Sequence, residues 1–220
     1  MIEHSIFLGY VHPDTVPGGF PLQVLELAMW EPNMIYQAGA CDQPNNAKSR
    51  NVVVDMFLSS DAEWLGWIDS DCRVHPNAFA KLRALANQHG AVVANGHVVT
   101  YDGQAGTLGN AAWNYYGGEW DMVGADEESD EAYWVDGAGC HFALWHRSVY
   151  EELLERPYHE DWVVHPDTGK PMGHDLALCL RLNKAGQRVL YCPEVLTWHV
   201  KPWSIGKADL DRYRESHAST

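Results

Sequence analysis

The sequence predicts an α/β fold, a mainly parallel sheet flanked by helices with a smaller mixed region on its C-terminal side. Three observations predict it. Short apolar runs alternate with amphipathic segments through the first 95 residues, the pattern of strands joined by crossover helices. Gly- and Pro-rich stretches such as Pro17-Gly18-Gly19 mark loops between them. The chain of 220 residues is long enough for one sizeable core.

Residues 5–11, Ser-Ile-Phe-Leu-Gly-Tyr-Val, read as a first buried strand, followed by a loop through His12-Pro13-Asp14 and Pro17-Gly18-Gly19. Over 21–30, Leu22, Leu25 and Met29, with Val24 and Leu27 beside them, predict a packed helix. A second strand is expected at 34–39. Asn45 to Asn51 then leads into a helix over Val52–Leu58, although its β-branched valines also suit a strand. The next strand, 64–68, runs into Asp69-Ser70-Asp71 and a turn at His75-Pro76. Pro76 suits the first turn of a helix whose apolar face is Phe79, Leu82, Leu85 and Ala86, stopped by Gly90. Residues 91–95 form the following strand.

Residues 101–134 break the pattern. They are rich in Gly, Asn, Tyr and Trp and carry the acidic run 126–131, which reads as a solvated loop, with a mobile flap as the sharper alternative. Regular structure resumes over 133–145. Ser148 and Glu151 have capping-box spacing and open a short helix to about Arg156, followed by a polar loop, 157–172. A helix over 174–185 places Leu176, Cys179, Leu180 and Asn183 on one side and ends at Gly186. Strands are expected at 188–192 and 195–199, divided by Pro193, and the charged tail after Lys207 as a surface helix or disordered segment.

Composition narrows the function classes. With 15 Lys and Arg against 30 Asp and Glu, the formal net charge of −15 argues against a nucleic-acid or anionic-membrane binder, though a bound metal could still hold a nucleotide. Five cysteines without paired spacing indicate free thiols and no structural zinc. No segment reads as a signal peptide or approaches the ~20 apolar residues of a membrane span, so the expectation is a cytoplasmic protein without an integral membrane segment. Ten tryptophans and ten tyrosines are many for this length; most are expected in the core, and the excess suits stacking on sugars or a base.

The chemistry centres on Asp69-Ser70-Asp71. Two carboxylates at the carboxyl end of a buried strand stand where open α/β sheets bind ligands, and suit a hard divalent cation shared with phosphates. Four further clusters accompany them. Arg50-Asn51, ahead of a helix, could grip a phosphate or base, or only form a surface salt bridge. Asp136-Gly137-Ala138-Gly139 is a carboxylate in a small-residue turn after a strand. Gly173-His174-Asp175 opens a helix, where the Asp caps it or serves as a general base. Trp198-His199 puts an imidazole, a metal ligand, at the end of a late strand.

This combination, in this order over about residues 5–200, resembles the GT-A fold nucleotide-sugar glycosyltransferases, family-2-like, including short members found in bacteriophage genomes. The resemblance implies a single catalytic domain over 1–207, with a Rossmann-like nucleotide half (1–100) and an acceptor half (101–207), and a surface tail (208–220). It implies Mn²⁺ or Mg²⁺ bound by Asp71 and His199, and a nucleotide contacted by Tyr10, Val11, His12, Arg50, Asp69 and Ser70. Sugar and acceptor would meet Trp134, Asp136, Gly137 and His174, with Asp175 as catalytic base. His174 stands where such enzymes often carry Glu. The implied reaction moves a sugar from a UDP- or GDP-linked donor to a glycan, lipid-linked or protein acceptor hydroxyl, with inversion. The alternatives are a degenerate GT-A domain that only binds nucleotide or glycan, and a sugar nucleotidyltransferase. The latter usually carries an early basic loop, whereas here no Lys or Arg precedes Lys48.

Overall fold

The structure, a computed structural model, describes residues 6–12, 19–30, 35–41, 46–102, 107–123, 130–160 and 163–200. In chain order these form β1 (Ile6–Val11), α1 (Phe20–Trp30), β2 (Ile35–Cys41), α2 (Asn46–Leu58), β3 (Trp64–Ile68), β4 (Cys72–Val74), α3 (Ala78–His89) and β5 (Val93–His97). There follow β6 (Val99–Asp102), β7 (Thr107–Asn110), β8 (Ala112–Tyr116), β9 (Glu119–Met122), β10 (Tyr133–Val135), β11 (Gly137–Ala138) and β12 (Phe142–His146). After a π-type turn (Val149–Leu153) come β13 (Val163–Val164), β14 (Pro171–Met172), α4 (His174–Lys184) and β15 (Val189–His199).

The main sheet runs β10-β15-β5-β12-β3-β1-β2, with β4 attached to β15. β1 pairs in parallel with β2 and β3, and β15 with β5, while β12 lies antiparallel between β3 and β5 and β10 is antiparallel to β15. Five of the seven strands on this path therefore point one way, which makes the sheet mostly parallel in direction with two reversed strands.

Strand alternation sorts the core into two layers. Phe7, Leu65, Trp67 and Trp145 face one side with Val53 and Phe57 of α2 and Leu178 and Leu182 of α4. Ile6, Leu8, Ile68, Phe142 and Leu144 face the other with Leu27 of α1 and Phe79 and Leu82 of α3. Gly66 sets how closely α3 approaches: a Cβ there would lie 2.8 Å from both Ile6 Cγ2 and Phe79 Cε1.

Several expectations are corrected. In α1 the buried residues are Phe20, Gln23 and Leu27, while Leu22, Leu25 and Met29 are exposed. Apolar spacing located the helix but not the face it buries, because Gln23 is held inward by two hydrogen bonds to β4. α2 begins at Asn46, so Arg50 and Asn51 lie inside it rather than ahead of it. α3 starts at Ala78, after Pro76 and Asn77, and Gly90 ends it in the left-handed region (φ 65°). The segment expected to be irregular between 101 and 134 contains hairpin strands; within the acidic run, only Asp130 and Glu131 are among the described residues, and both are exposed. Ser148 does not cap an α-helix: its hydroxyl bonds His146 Nδ1 at 2.8 Å, and Leu154 N–H reaches Val149 O in π-type spacing. The polar loop carries the small hairpin β13–β14. Pro193 does not divide two strands, because β15 is continuous and its register against β5 shifts between Cys192 and Leu196, where Pro owes no ladder bond. The tail after Lys207 lies outside the described residues.

Candidate active site

Parallel strands β1 and β3 bring Val11 and Asp69 to the same, carboxyl end of the sheet. There the Asp69 C=O accepts the Cys72 N–H at 2.9 Å, closing a turn that holds Ser70 and Asp71 at its tip. Asp69 N–H donates to His141 O at 2.8 Å, and Val200 N–H to Asp71 O at 2.6 Å. β4 pairs antiparallel with the end of β15, His199 opposite Cys72. Two segments more than a hundred residues apart thus meet at the turn.

The two aspartates divide in their partners. Asp69 Oδ1 accepts a hydrogen bond from Arg50 Nη2 at 2.8 Å, and its Oδ2 lies 2.9 Å from His141 Nδ1. Arg50 is 1% exposed, with its guanidinium 4.9 Å from the Trp67 ring centroid. Burial opposes its charge, yet Asp69 and then Asp175 outweigh that and raise its pKa. A similar contest, burial against the bond and charge of Asp69, raises the His141 pKa. In this structure Arg50 holds Asp69 in a buried ion pair, where the sequence reading offered a phosphate, a base or a surface salt bridge.

Asp71 faces His199 instead. His199 Nε2 lies 3.3 Å from Asp71 Oδ2 and, although buried, makes no hydrogen bond. Asp71, Cys72 and His199 each present a donor atom within 4.8 Å of the others. An oxygen, an imidazole nitrogen and a sulfur converging at a sheet end, with the nitrogen otherwise unsatisfied, fit a divalent ion.

Asp175 sits in the first turn of α4, within the field of Arg50 and His141. Its Oδ2 accepts the Cys140 N–H at 3.2 Å, and its Oδ1 lies 3.0 Å from His174 Nδ1. Burial raises its pKa, but Arg50, His174, His141 and the Cys140 N–H together hold it at about 2, so the carboxylate is anionic at neutral pH. His174 Nε2 is 3.1 Å from Asn46 Nδ2. His159 is buried behind His174, ring centroids 6.0 Å apart, and its backbone is clamped by both side-chain ends of Asn51. Burial, and next the Arg50 charge, push the His159 pKa well below that of free imidazole.

The remaining predicted residues are placed as follows. Tyr10 packs edge-on against Phe20, and Tyr10 and His12 rings are 6.0 Å apart at the end of β1. Asp136 is not joined to Asp69 or Asp71 by these bonds: its carboxylate accepts from Tyr115 N–H at 2.9 Å and Arg188 Nε at 2.7 Å. Gly137 admits Trp120 and Leu176, which a Cβ would meet at 2.7 and 2.9 Å. Trp134 is exposed on the edge strand β10.

Sequence reasoning missed His141, His159 and Cys72. His141 follows the Gly137-Ala138-Gly139 turn, but only the β12–β3 pairing brings it to Asp69. Cys72 adjoins Asp71, and its place opposite His199 needs the β4–β15 register to be seen.

A mostly parallel sheet with two aspartates in the turn at its carboxyl end, met by a late-strand histidine, accords with a GT-A fold, and the family match makes the class that of glycosyltransferases. The family model described as glycosyltransferase like family 2 matches residues 39–218, and the chain belongs to that family. Among solved structures, A197 from STIV is similar with a TM-score of 0.62 at 18% identity, over 90% of this chain and 86% of that one. GalNAc-T7, crystallised with UDP, GalNAc and Mn²⁺, is similar with a TM-score of 0.56 at 13% identity, over 96% of this chain and 47% of that one. These identities speak to the fold alone. No curated protein matches the chain by sequence. Among the described residues, no helix is long and apolar enough to cross a membrane.

Proposed function

We propose that this glycosyltransferase moves a sugar from a UDP- or GDP-linked donor to an acceptor hydroxyl, with a divalent cation and with inversion at the transferred carbon. The observation that carries the reading is the split of the two turn aspartates, Asp69 onto Arg50 and His141, Asp71 onto His199. The split leaves one carboxylate organised by the protein and one aimed, with an imidazole whose Nε2 is buried, at a shared point. The Mn²⁺ and UDP in the GalNAc-T7 structure support it by analogy of fold.

In this reading Tyr10, Val11 and His12 line the base end of the donor site, and Ser70 and Asp69 face the ribose. Arg50 acts through Asp69, fixing its carboxylate. Asp71 and His199 hold the cation, Mn²⁺ or Mg²⁺, which supplies Lewis-acid stabilisation of the departing diphosphate. The acceptor hydroxyl loses its proton at the His174–Asp175 pair, Asp175 being the base. Trp134, Asp136 and Gly137 belong to the acceptor side, Asp136 there ordering β8 and Arg188 around the bound sugar. The acceptor is a glycan, a lipid-linked sugar or a protein, and the setting is cytoplasmic.

The test is a donor screen across UDP- and GDP-sugars with Mn²⁺ or Mg²⁺, read as slow donor hydrolysis and as calorimetric nucleotide binding. Asp71→Ala should lose metal-dependent binding and turnover together. Asp175→Asn should bind donor as the wild type does while turnover falls about 10²–10⁴-fold, the usual contribution of a general base. Full metal-dependent binding by Asp71→Ala removes the metal assignment, and unchanged turnover by Asp175→Asn removes the base.

A further inference from the structure

Cys72 stands beside Asp71 in sequence and opposite His199 in the β4–β15 ladder. Directly opposed residues of an antiparallel pair project to the same face, with Cβ atoms about 4.5–5.5 Å apart. The thiol sulfur, the Asp71 carboxylate and a His199 ring nitrogen accordingly fall within 4.8 Å of one another. We propose that Cys72 is a third protein ligand of the Asp71–His199 centre, so that the site selects a first-row transition ion over Mg²⁺. The proposal rests on the reading of Asp71 and His199 as metal ligands given above.

The backbone around Cys72 is built to hold it still. Its N–H donates to Asp69 O at 2.9 Å. Its C=O accepts from Gln23 Nε2 at 3.0 Å, and the same Gln23 takes the Val74 N–H on its Oε1 at 3.2 Å. A buried glutamine on α1 therefore fixes the strand that carries the thiol. Cys72 is 1% exposed and forms no disulfide, and the more accessible Asp71 gives an ion its way in.

The donor chemistry decides the metal. Mg²⁺ takes oxygen ligands and keeps its waters, whereas imidazole and thiolate favour ions such as Co²⁺ and Zn²⁺. On binding, the Cys72 S–H bond breaks, a sulfur–metal bond forms and the thiol proton passes to solvent, so uptake releases a proton and strengthens as pH rises. Three protein donors leave positions open for diphosphate oxygens.

The experiment is an anaerobic Co²⁺ titration of the full chain in a phosphine reductant, with equilibrium dialysis for stoichiometry. A near-ultraviolet thiolate-to-cobalt charge-transfer band growing to one equivalent is expected, kept by Cys192→Ala and lost in Cys72→Ser. Because a serine hydroxyl at this buried position could unfold the chain, X-ray absorption of Zn²⁺-loaded wild-type protein is the second measurement, expected to show a sulfur neighbour at about 2.3 Å. One equivalent of Co²⁺ bound with no thiolate band and no sulfur neighbour overturns the role of Cys72 while leaving Asp71 and His199 as ligands. A band that survives in folded Cys72→Ser overturns it likewise. Wild-type protein that binds no more Co²⁺ than Asp71→Ala overturns both this proposal and the metal centre beneath it.

Discussion

Arg50 shows what a single residue does for this site. A guanidinium that is almost wholly buried needs a carboxylate, and Asp69 supplies one at 2.8 Å. The pair keeps the first aspartate of the turn in one orientation, while Asp71 at the tip faces His199. Removing Arg50 strands the partly buried Asp69 charge. Arg50→Met should therefore cost about 3–5 kcal/mol in urea unfolding, far more than the loss of a surface ion pair. By the same reasoning the exposed Arg156–Asp55 pair is worth little, and Arg156→Ala is the matched control in that experiment.

At the scale of elements, α1 separates apolar pattern from burial. Leu27 is fully buried between the helix and the sheet, while Leu25, two residues earlier, is exposed. Leu27→Ala should cost about 2–5 kcal/mol and Leu25→Ser no more than about 0.5 kcal/mol in thermal or chemical unfolding. Equal costs would mean that the helix packs by the face its leucine spacing first indicates. The strands behaved differently. The runs at 6–11 and 64–68 were readable as sequence because a strand buried on both faces is apolar at successive positions. The β12 segment was readable only as regular structure, and its reversed insertion between β3 and β5 was not readable at all, since direction depends on where the preceding chain returns. Within the site, Asp69, Asp71 and His199 were legible from residue type and strand-end position. His141 and His159 were not, because each reaches the cluster from a distant segment through sheet pairing or a loop clamp.

For the whole molecule, the buried titratable groups couple stability to pH. His159 has a pKa lowered by burial and then by Arg50, so its neutral form belongs to the folded state. Below the free-imidazole pKa of about 6.5 the unfolded chain takes up a proton that the folded chain resists, and stability falls as pH drops from there. His159→Leu should lessen the fall in melting temperature between neutral pH and about pH 5 relative to wild type. Asp175 acts lower down. Its pKa is held at about 2 against a carboxylate value of 3.8, so its contribution is complete above about pH 4 and is lost as pH falls towards 2. Asp175→Asn should flatten that last acid limb, read from melting curves between about pH 4 and 2 matched to wild type.

The sequence by itself determined the alternation of strands and helices, the apolar runs that became a doubly covered sheet, and the residue types that carry the chemistry. It did so because periodicity, turn residues and ligand chemistry are local properties of the chain. Only the tertiary structure decided which of those residues meet. It set Arg50 and His141 on Asp69, and it placed Cys72 across from His199 through the β4–β15 register. It also turned Asp136 towards Arg188. Each of these is a contact between segments far apart in sequence, fixed by strand order, strand direction and register, and those follow from how the whole chain buries its two apolar layers.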